Sequence, residues 1–172
     1  MIKSELTQGE IGDFYWRYIN KIDDKAELIE TLENNRIEFS DFLKTVPQEK
    51  WDYRYSSGKW SILEMLQHII DTERIFQYRA LCFARNEKNS LPGFDHDIYV
   101  LNSDAEVRRP DDLIEEFKSV RKAGIFLFRS LSEERLKIVG NMNDMNATPR
   151  AIGFIVAGHA LHHKDIITQK YL

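Results

Sequence analysis

Four long segments of this chain repeat apolar residues at the three- and four-residue spacing of an amphipathic helix, and this pattern constrains the fold most. The segments run approximately over residues 24–46, 61–85, 110–131 and 148–172, and three of the four prolines lie at their ends. No segment alternates apolar and polar residues over the length of a strand. The pattern therefore predicts an all-α fold, a four-helix bundle.

Local signals mark where three of these helices begin. Ser61-Ile-Leu-Glu64 is a capping box, in which the serine side chain accepts from the amide of Glu64 and the glutamate reaches back to the serine amide. Pro110 and Pro149 suit the first helical turn, where the missing N–H costs nothing. Thr148 is a suitable N-cap for the last helix. We therefore expect helix starts close to residues 61, 110 and 148.

Three further segments lie outside the four helices. Residues 9–20 are too apolar to remain in solvent, so we expect a short helix packed across the bundle. Residues 86–109 form a much longer connection than neighbouring helices need, and we expect a crossover or a functional loop between the second and third helices. Gly140 to Asn146 has the composition of a turn.

Length and composition exclude several classes of protein. We expect one domain over residues 1–172. The single cysteine, Cys82, excludes intrachain disulfides and cysteine-based zinc sites. The excess of 28 acidic over 24 basic side chains argues against nucleic-acid binding. Because no secretory signal and no membrane-spanning run is present, we expect a soluble, cytoplasmic protein. With a single cysteine, any metal ion is expected to be bound by histidines and carboxylates.

The histidines supply the candidate chemistry. His159 and His163 are four residues apart on the fourth helix, so both project from one face, about 6 Å apart along the axis. This spacing allows one helix to offer two imidazoles to a single metal ion, although a chance pair on an exposed face is the competing interpretation. If the second and fourth helices are neighbours, His68 completes a three-histidine site with an open position, as in catalytic zinc or nickel centres.

Two other histidines are weaker candidates for metal ligands. His162 points about 100° away from His163 on the helix, so we expect it at the surface or hydrogen-bonded to a metal ligand. His96 lies in the long connection, where a solvated side chain is the default expectation.

Neighbours of His68 on the second helix are also candidates. Thr72 is one turn further on and can line a pocket, whereas Glu73 either orients a ligand or forms a salt bridge on its own helix, with Arg74 or with a neighbour in residues 77–79. Cys82 lies about 21 Å from His68 along the helix axis and is expected to be a core thiol. Four aromatic residues are candidates for a pocket wall, with a packed core as the alternative: Trp60, Tyr78, Phe94 and Tyr99.

Several stretches resemble the DinB-like family. Trp60-Ser-Ile-Leu-Glu-Met-Leu-Gln-His68, continued to residue 85, resembles the second helix of that family, and Leu91-Pro-Gly-Phe-Asp95 resembles the loop that follows it. Residues 151–163 and 169–172 are similar to the last helix, and residues 9–19 are similar to the N-terminal segment. The resemblance spans nearly the whole chain in the order of the family and includes both histidine motifs.

The resemblance implies a four-helix bundle of up-down-down-up topology and a homodimer. It also implies a zinc or nickel ion on three histidines, which correspond here to His68, His159 and His163. Enzymes of this fold use low-molecular-weight thiols as co-substrates in transferase and isomerase reactions, whereas many members have no assigned reaction, and a fold alone cannot choose among functions.

We therefore expect a metal-dependent enzyme that acts on a small molecule, with no nucleic-acid or membrane partner. Thiol transfer and hydrolysis use the same histidines and are both open. The alternative from another class is a non-catalytic, stress-related, metal-binding dimer, and a scaffold without metal is a weaker alternative. No catalytic residue is assigned, and the three histidines are expected to act as metal ligands.

Overall fold

The computed structural model describes residues 1–172, which form seven α-helices, five 3-10 turns and one β-hairpin. The α-helices are α1 (Trp16–Ile19), α2 (Leu28–Lys44), α3 (Ile62–Ala84), α4 (His96–Leu101), α5 (Pro110–Arg129), α6 (Glu133–Leu136) and α7 (Pro149–Lys170). The strands are β1 (Gly140–Met142) and β2 (Met145–Ala147), and the 3-10 turns are Lys3–Glu5, Gln8–Glu10, Asp13–Tyr15, Gln48–Lys50 and Ala105–Val107. The prediction of four long helices is confirmed by α2, α3, α5 and α7, and none of the helices could cross a membrane.

The predicted start signals act at three helix ends. In the capping box, the Glu64 amide donates to the Ser61 hydroxyl at 3.2 Å and the Ser61 amide donates to the Glu64 carboxylate at 2.7 Å. Thr148 accepts from the Ala151 amide at 3.3 Å, and Pro110 is the first residue of α5. These contacts satisfy amides that have no partner within the helix.

The first long helix begins later than its apolar pattern suggested. It starts at Leu28, and not near residue 24, because the Glu27 carboxylate accepts from the amides of Ile29 and Glu30 at 3.1 and 3.2 Å. Glu27 thus acts as the N-cap, a position for which Ser, Thr, Asp and Asn are the usual sequence signal.

Contacts between α3 and α5 show that these neighbouring helices run parallel. Arg108, just before α5, donates to Gln67 near the start of α3 at 3.2 Å. Further along both helices, Gln77 donates to the Val120 carbonyl at 2.8 Å. Because parallel neighbours require the chain to return along the bundle, the connection between them has to be long, as the sequence predicted.

The other contacts complete an up-down-down-up bundle with α3 beside α7 and α2 beside α5 and α7. α3 and α7 are antiparallel, since Tyr171 at the end of α7 donates to the carbonyl of Trp60 at 2.5 Å. α2 and α5 are antiparallel as well, because Phe39 packs edge-on against Phe117 while Glu33 pairs with Arg129.

A β-hairpin lies beside the long connection and was not expected as a pair of strands. Its two turn residues, Asn143 and Asp144, have φ of 50° and 59°, which suits the tight turn of a two-residue hairpin. Leu91 of the long connection donates to the Asn141 carbonyl at 3.0 Å and accepts from the Asn143 amide at 2.9 Å. These bonds hold the start of the connection in place.

The N-terminal segment packs across α7, as predicted, although its α-helix covers only Trp16–Ile19. A Cβ atom at Gly158 would lie 2.2 Å from the carbonyl oxygen of Tyr18, so the absence of a side chain there permits the close approach of α1. At the start of α7, buried Arg150 binds the Glu10 carboxylate, to which the Thr148 hydroxyl also donates at 2.9 Å. This pair holds the segment against the bundle.

A layer of polar side chains divides the core of the bundle. One apolar cluster lies at the end formed by residues 28–32 and 76–84, and a second lies at the end formed by residues 39–43 and 62–70. Buried polar side chains from all four long helices lie in this layer, among them Asn35, Glu73, Arg121 and His159.

Candidate metal centre

His68, His159 and His163 come together where α3 packs against α7. Their exposed fractions are 9%, 5% and 7%. The Nε2 atom of His159 lies 3.2 Å from Nε2 of His68 and 3.0 Å from Nε2 of His163. One ligand atom from each ring lies within 4.8 Å of the others. The structure therefore brings together the three histidines that the sequence singled out.

These separations suit a shared metal ion. Nitrogen ligands lie 2.0–2.1 Å from zinc in tetrahedral sites, so two of them are about 3.3 Å apart. The observed 3.2 and 3.0 Å are close to that value. No hydrogen-bond pattern satisfies this geometry as simply, because a single neutral Nε2 of His159 would have to serve two imidazole neighbours.

Surrounding side chains fix two of the rings. The Thr72 hydroxyl lies 3.4 Å from Nδ1 of His68, where it can accept from an Nδ1–H and leave the lone pair on Nε2 for a metal ion. The indole of Trp60 packs against the same ring at 4.8 Å between centroids, and Tyr18 packs edge-on against His159 at 5.2 Å. Nδ1 of His163 has no hydrogen-bond partner.

Burial keeps all three imidazoles neutral. Desolvation, with a smaller contribution from His96, lowers the pKa of His68 to about 4. Desolvation, together with the neighbouring imidazoles, also lowers the pKa values of His159 and His163 well below the usual range of histidine. Metal coordination requires neutral imidazoles, so at neutral pH these three rings are in the protonation state that binds a metal ion.

A buried ion pair lies in the polar layer of the core. The Arg121 guanidinium donates to both oxygens of Glu73 at 2.6 and 2.8 Å, and it also donates to Asn35 and to the Val156 carbonyl at 3.1 Å. Glu73 is therefore occupied by a structural ion pair across α3 and α5, and it does not contact a metal-site histidine. The sequence suggested a salt bridge within α3, for example to Arg74, and the partner is instead Arg121 on α5.

A cavity of about 320 Å³ opens onto the three histidines. Of the residues expected at a pocket wall, Trp60, Thr72 and Phe94 line this cavity. Tyr78 does not, since it is 58% exposed on the outside of α3, and Tyr99 lines a separate surface depression.

The two weaker histidine candidates also line the cavity. His96 begins α4, and its ring centroid lies 5.7 Å from that of Trp60 and 5.8 Å from that of His68. Its side chain is exposed, as the loop position led us to expect, and the long connection folds back so that this exposed ring also lies at the cavity rim. His162 packs edge-on against Tyr18 at 5.3 Å. Half-buried Cys82 lies elsewhere, in a surface depression near the end of α3.

Sequence motifs did not identify several polar residues of the cavity wall, among them Tyr15, Arg17 and Arg79. A signal for Arg79 was present in the sequence. Arg79 follows His68 by 11 residues, which corresponds to a rotation of about 20° around the helix, so both side chains leave the same face. No comparable signal identified Tyr15 and Arg17, because their position depends on how the N-terminal segment crosses α7.

Comparisons with known proteins agree with the fold. A sequence model of the DinB superfamily matches residues 31–167. Proteins named "Putative metal-dependent hydrolase" from Bacillus cereus and Bacillus anthracis are each 28% identical over 163 residues, covering 92% of this chain and 91% of theirs.

One solved structure has the same fold. YfiT from Bacillus subtilis superimposes with a TM-score of 0.73 and 15% sequence identity, over 96% of this chain and 90% of its own. YfiT is described as "a probable metal-dependent hydrolase with an unusual four-helix bundle topology". The up-down-down-up order of this chain's helices is such a topology.

Proposed function

This chain belongs to the DinB superfamily, and on that basis we propose that it is a metal-dependent hydrolase of small molecules, with His68, His159 and His163 as the metal ligands. The observation that carries the proposal is the shared Nε2 atom of His159, at 3.2 and 3.0 Å from its two imidazole neighbours. The names of the relatives from Bacillus cereus and Bacillus anthracis support the same activity.

The donor set favours a divalent transition metal. Three imidazoles without a carboxylate suit zinc or nickel better than magnesium or calcium, which prefer oxygen ligands. Such an ion supplies Lewis acidity, which polarises a substrate oxygen and lowers the pKa of water or of a thiol.

The chain's own residues shape the space in front of the ligands. Trp60 and Tyr18 pack against two of the imidazoles and limit how far these rings can turn. The aromatic rings of Phe14, Phe76 and Phe94 contribute apolar wall to the cavity. A small organic substrate therefore binds in a partly dehydrated space, where electrostatic interactions are stronger than in water.

A thiol-dependent transferase is a second candidate, and one observation favours it. None of the residues that line the cavity is an aspartate or a glutamate, so the carboxylate base that many hydrolases use is absent from its wall. A thiol, with a pKa of about 8.5, loses its proton far more readily than water and needs such a base less. Since Cys82 lies outside the cavity, a reacting thiol would be an external, low-molecular-weight co-substrate.

Metal content and turnover of the same preparation test the proposal. Protein purified without a histidine tag and incubated with zinc or nickel should hold one equivalent of metal. The loaded protein should hydrolyse members of a panel of small esters and amides, and a chelator should abolish that activity. Turnover that appears only with added thiol would support the transferase, and metal binding without any turnover would support a non-catalytic metal-binding bundle.

The homodimer implied by the family is part of the proposal as well. Light scattering of the purified protein should give twice the chain mass of 20.3 kDa. A mass of one chain at micromolar concentration would contradict it.

A further inference from the structure

Arg79 differs from the other buried arginines because no carboxylate neutralises it. Arg79, Arg121 and Arg150 are 3%, 0% and 7% exposed. Arg121 is paired with Glu73 and Arg150 with Glu10. The one hydrogen bond of the Arg79 side chain runs from Nη2 to the carbonyl oxygen of Pro92, at 2.7 Å.

A buried cation without a counterion is costly. A guanidinium has five N–H donors, and burial of a charge is tolerated in proteins when pairing and hydrogen bonds compensate for lost water. Desolvation here lowers the pKa of Arg79, although the group remains protonated at any physiological pH. The chain's own residues offset this electrostatic cost only in part, through the Pro92 carbonyl and the rings of Phe76 and Phe94.

The surroundings of Arg79 point to a ligand that is an anion. Arg79 lines the same cavity as the three histidines, and Arg17 is a second cation in that wall with no carboxylate partner. No acidic side chain lines the cavity. The guanidinium of Arg79 lies over the rings of Phe76 and Phe94, 5.3 and 5.8 Å from their centroids, so its surroundings in the cavity wall are largely apolar.

The position of Arg79 along α3 relates it to the metal centre. Arg79 and His68 leave the same helix face about 16 Å apart along the axis, and both side chains tilt toward the N-terminus of the helix, which directs Arg79 toward His68. Thr72 and Phe76 lie between them on that face and line the cavity. A volume of about 320 Å³ is at the lower end of ligand pockets, which suits a small organic molecule.

We propose that the Arg79 guanidinium binds a carboxylate of the substrate, so that the cavity selects small organic acids whose other end faces the three histidines. A carboxylate matches the planar guanidinium with two parallel hydrogen bonds and neutralises its charge. The orientation of the reacting end rests on the proposed metal-dependent function, whereas the binding of the carboxylate by Arg79 does not require a metal.

Calorimetric or NMR titration of metal-free protein in a chelator tests the carboxylate site. The probes are acetate, butyrate and 3-phenylpropionate, each compared with its uncharged amide. Because the metal is removed, the carboxylate of a probe cannot bind by coordinating a metal ion at the three histidines. The variants are Arg79→Met, Arg79→Lys and, as a control with the same charge change outside the cavity, Arg85→Met on the exposed end of α3.

At least one acid should bind the wild type and Arg85→Met equally well, and at least tenfold more tightly than its amide. Arg79→Met should weaken acid binding by roughly 10- to 150-fold, which corresponds to the about 1.5–3 kcal/mol contributed by a hydrogen-bonded charge. Arg79→Lys should fall in between, because lysine keeps the charge and loses the fork. Should Arg79→Met fail to fold, the lysine variant carries the comparison.

Two results would overturn the carboxylate site. The first is equal affinity, either of the wild type for an acid and its amide or of the wild type and Arg79→Met for the same acid. The second is that no acid shows saturable binding below about 20 mM. Zinc content is measured in parallel on the same variants. Acid binding without zinc binding would refute the metal-dependent function alone, and zinc binding without acid binding would refute the carboxylate site alone.

Discussion

Acidification is expected to destabilise the metal-free protein because His68 must stay neutral in the folded state. Its pKa is lowered to about 4 in the fold, mainly by burial, whereas an unfolded histidine titrates near 6.5. Between these values the unfolded chain binds more protons than the folded chain, so the free energy of unfolding falls as the pH drops below about 6.5. The loss levels off below about pH 4, where both states are protonated.

The size of this effect follows from the two pKa values. With 1.36 kcal/mol for each unit of difference between them, His68 alone removes about 2.5 kcal/mol from the unfolding free energy at pH 4.5 relative to pH 7. Because the pKa values of His159 and His163 are lowered in the same direction, these residues add to the loss.

Urea unfolding in the presence of a chelator measures how much His68 contributes to this loss of unfolding free energy. The wild type and His68→Gln are each unfolded at about pH 7 and at about pH 4.5. Both proteins contain the same carboxylates, so the acid titration of those groups cancels in the comparison. The wild type should lose about 2.5 kcal/mol more than the variant between the two pH values. Equal losses in the two proteins would refute the assignment of His68 as a buried neutral imidazole.

Three further predictions concern the site and its support. Zinc should raise the unfolding temperature of the wild type and of His162→Ala but not of His163→Ala, and equal responses of the two variants would mean that the wrong imidazole has been assigned. Arg121→Met should lower the unfolding free energy by about 3–5 kcal/mol because it leaves the Glu73 carboxylate buried and unpaired. In urea titrations, the double variant with Glu73→Leu should regain much of that stability. Gly158→Ala places a Cβ atom 2.2 Å from a backbone carbonyl oxygen of α1, so it should lower stability by about 1–3 kcal/mol and weaken zinc binding, whereas unchanged melting and affinity would contradict the described contact.

The helices were predictable from the sequence because their determinants are local. The capping box at Ser61 and the Thr148–Pro149 start act within one turn of the chain, and both form as expected. The spacing of His159 and His163 likewise depends only on helix geometry. His68 was a more distant inference, since it required the second and fourth helices to be neighbours, and the family resemblance supplied what spacing alone could not.

The features that the sequence did not reveal depend on contacts between distant segments. Glu73 meets Arg121 across 48 positions, so no local pattern distinguishes this pair from an exposed salt bridge. His96 reaches the cavity only because the long connection folds back, with its start bound to the β-hairpin. Arg79 shares a helix face with His68, yet only the full set of its neighbours shows that no carboxylate is present.

The central claim is that His68, His159 and His163 hold one divalent metal ion. A crystal structure of the zinc-loaded protein, with anomalous data collected at the zinc edge, tests it most directly. We expect one anomalous peak about 2.0–2.1 Å from the Nε2 atoms of all three histidines, with an open position facing the cavity. A zinc-loaded crystal with no peak between α3 and α7, or with zinc bound at other residues, would contradict it.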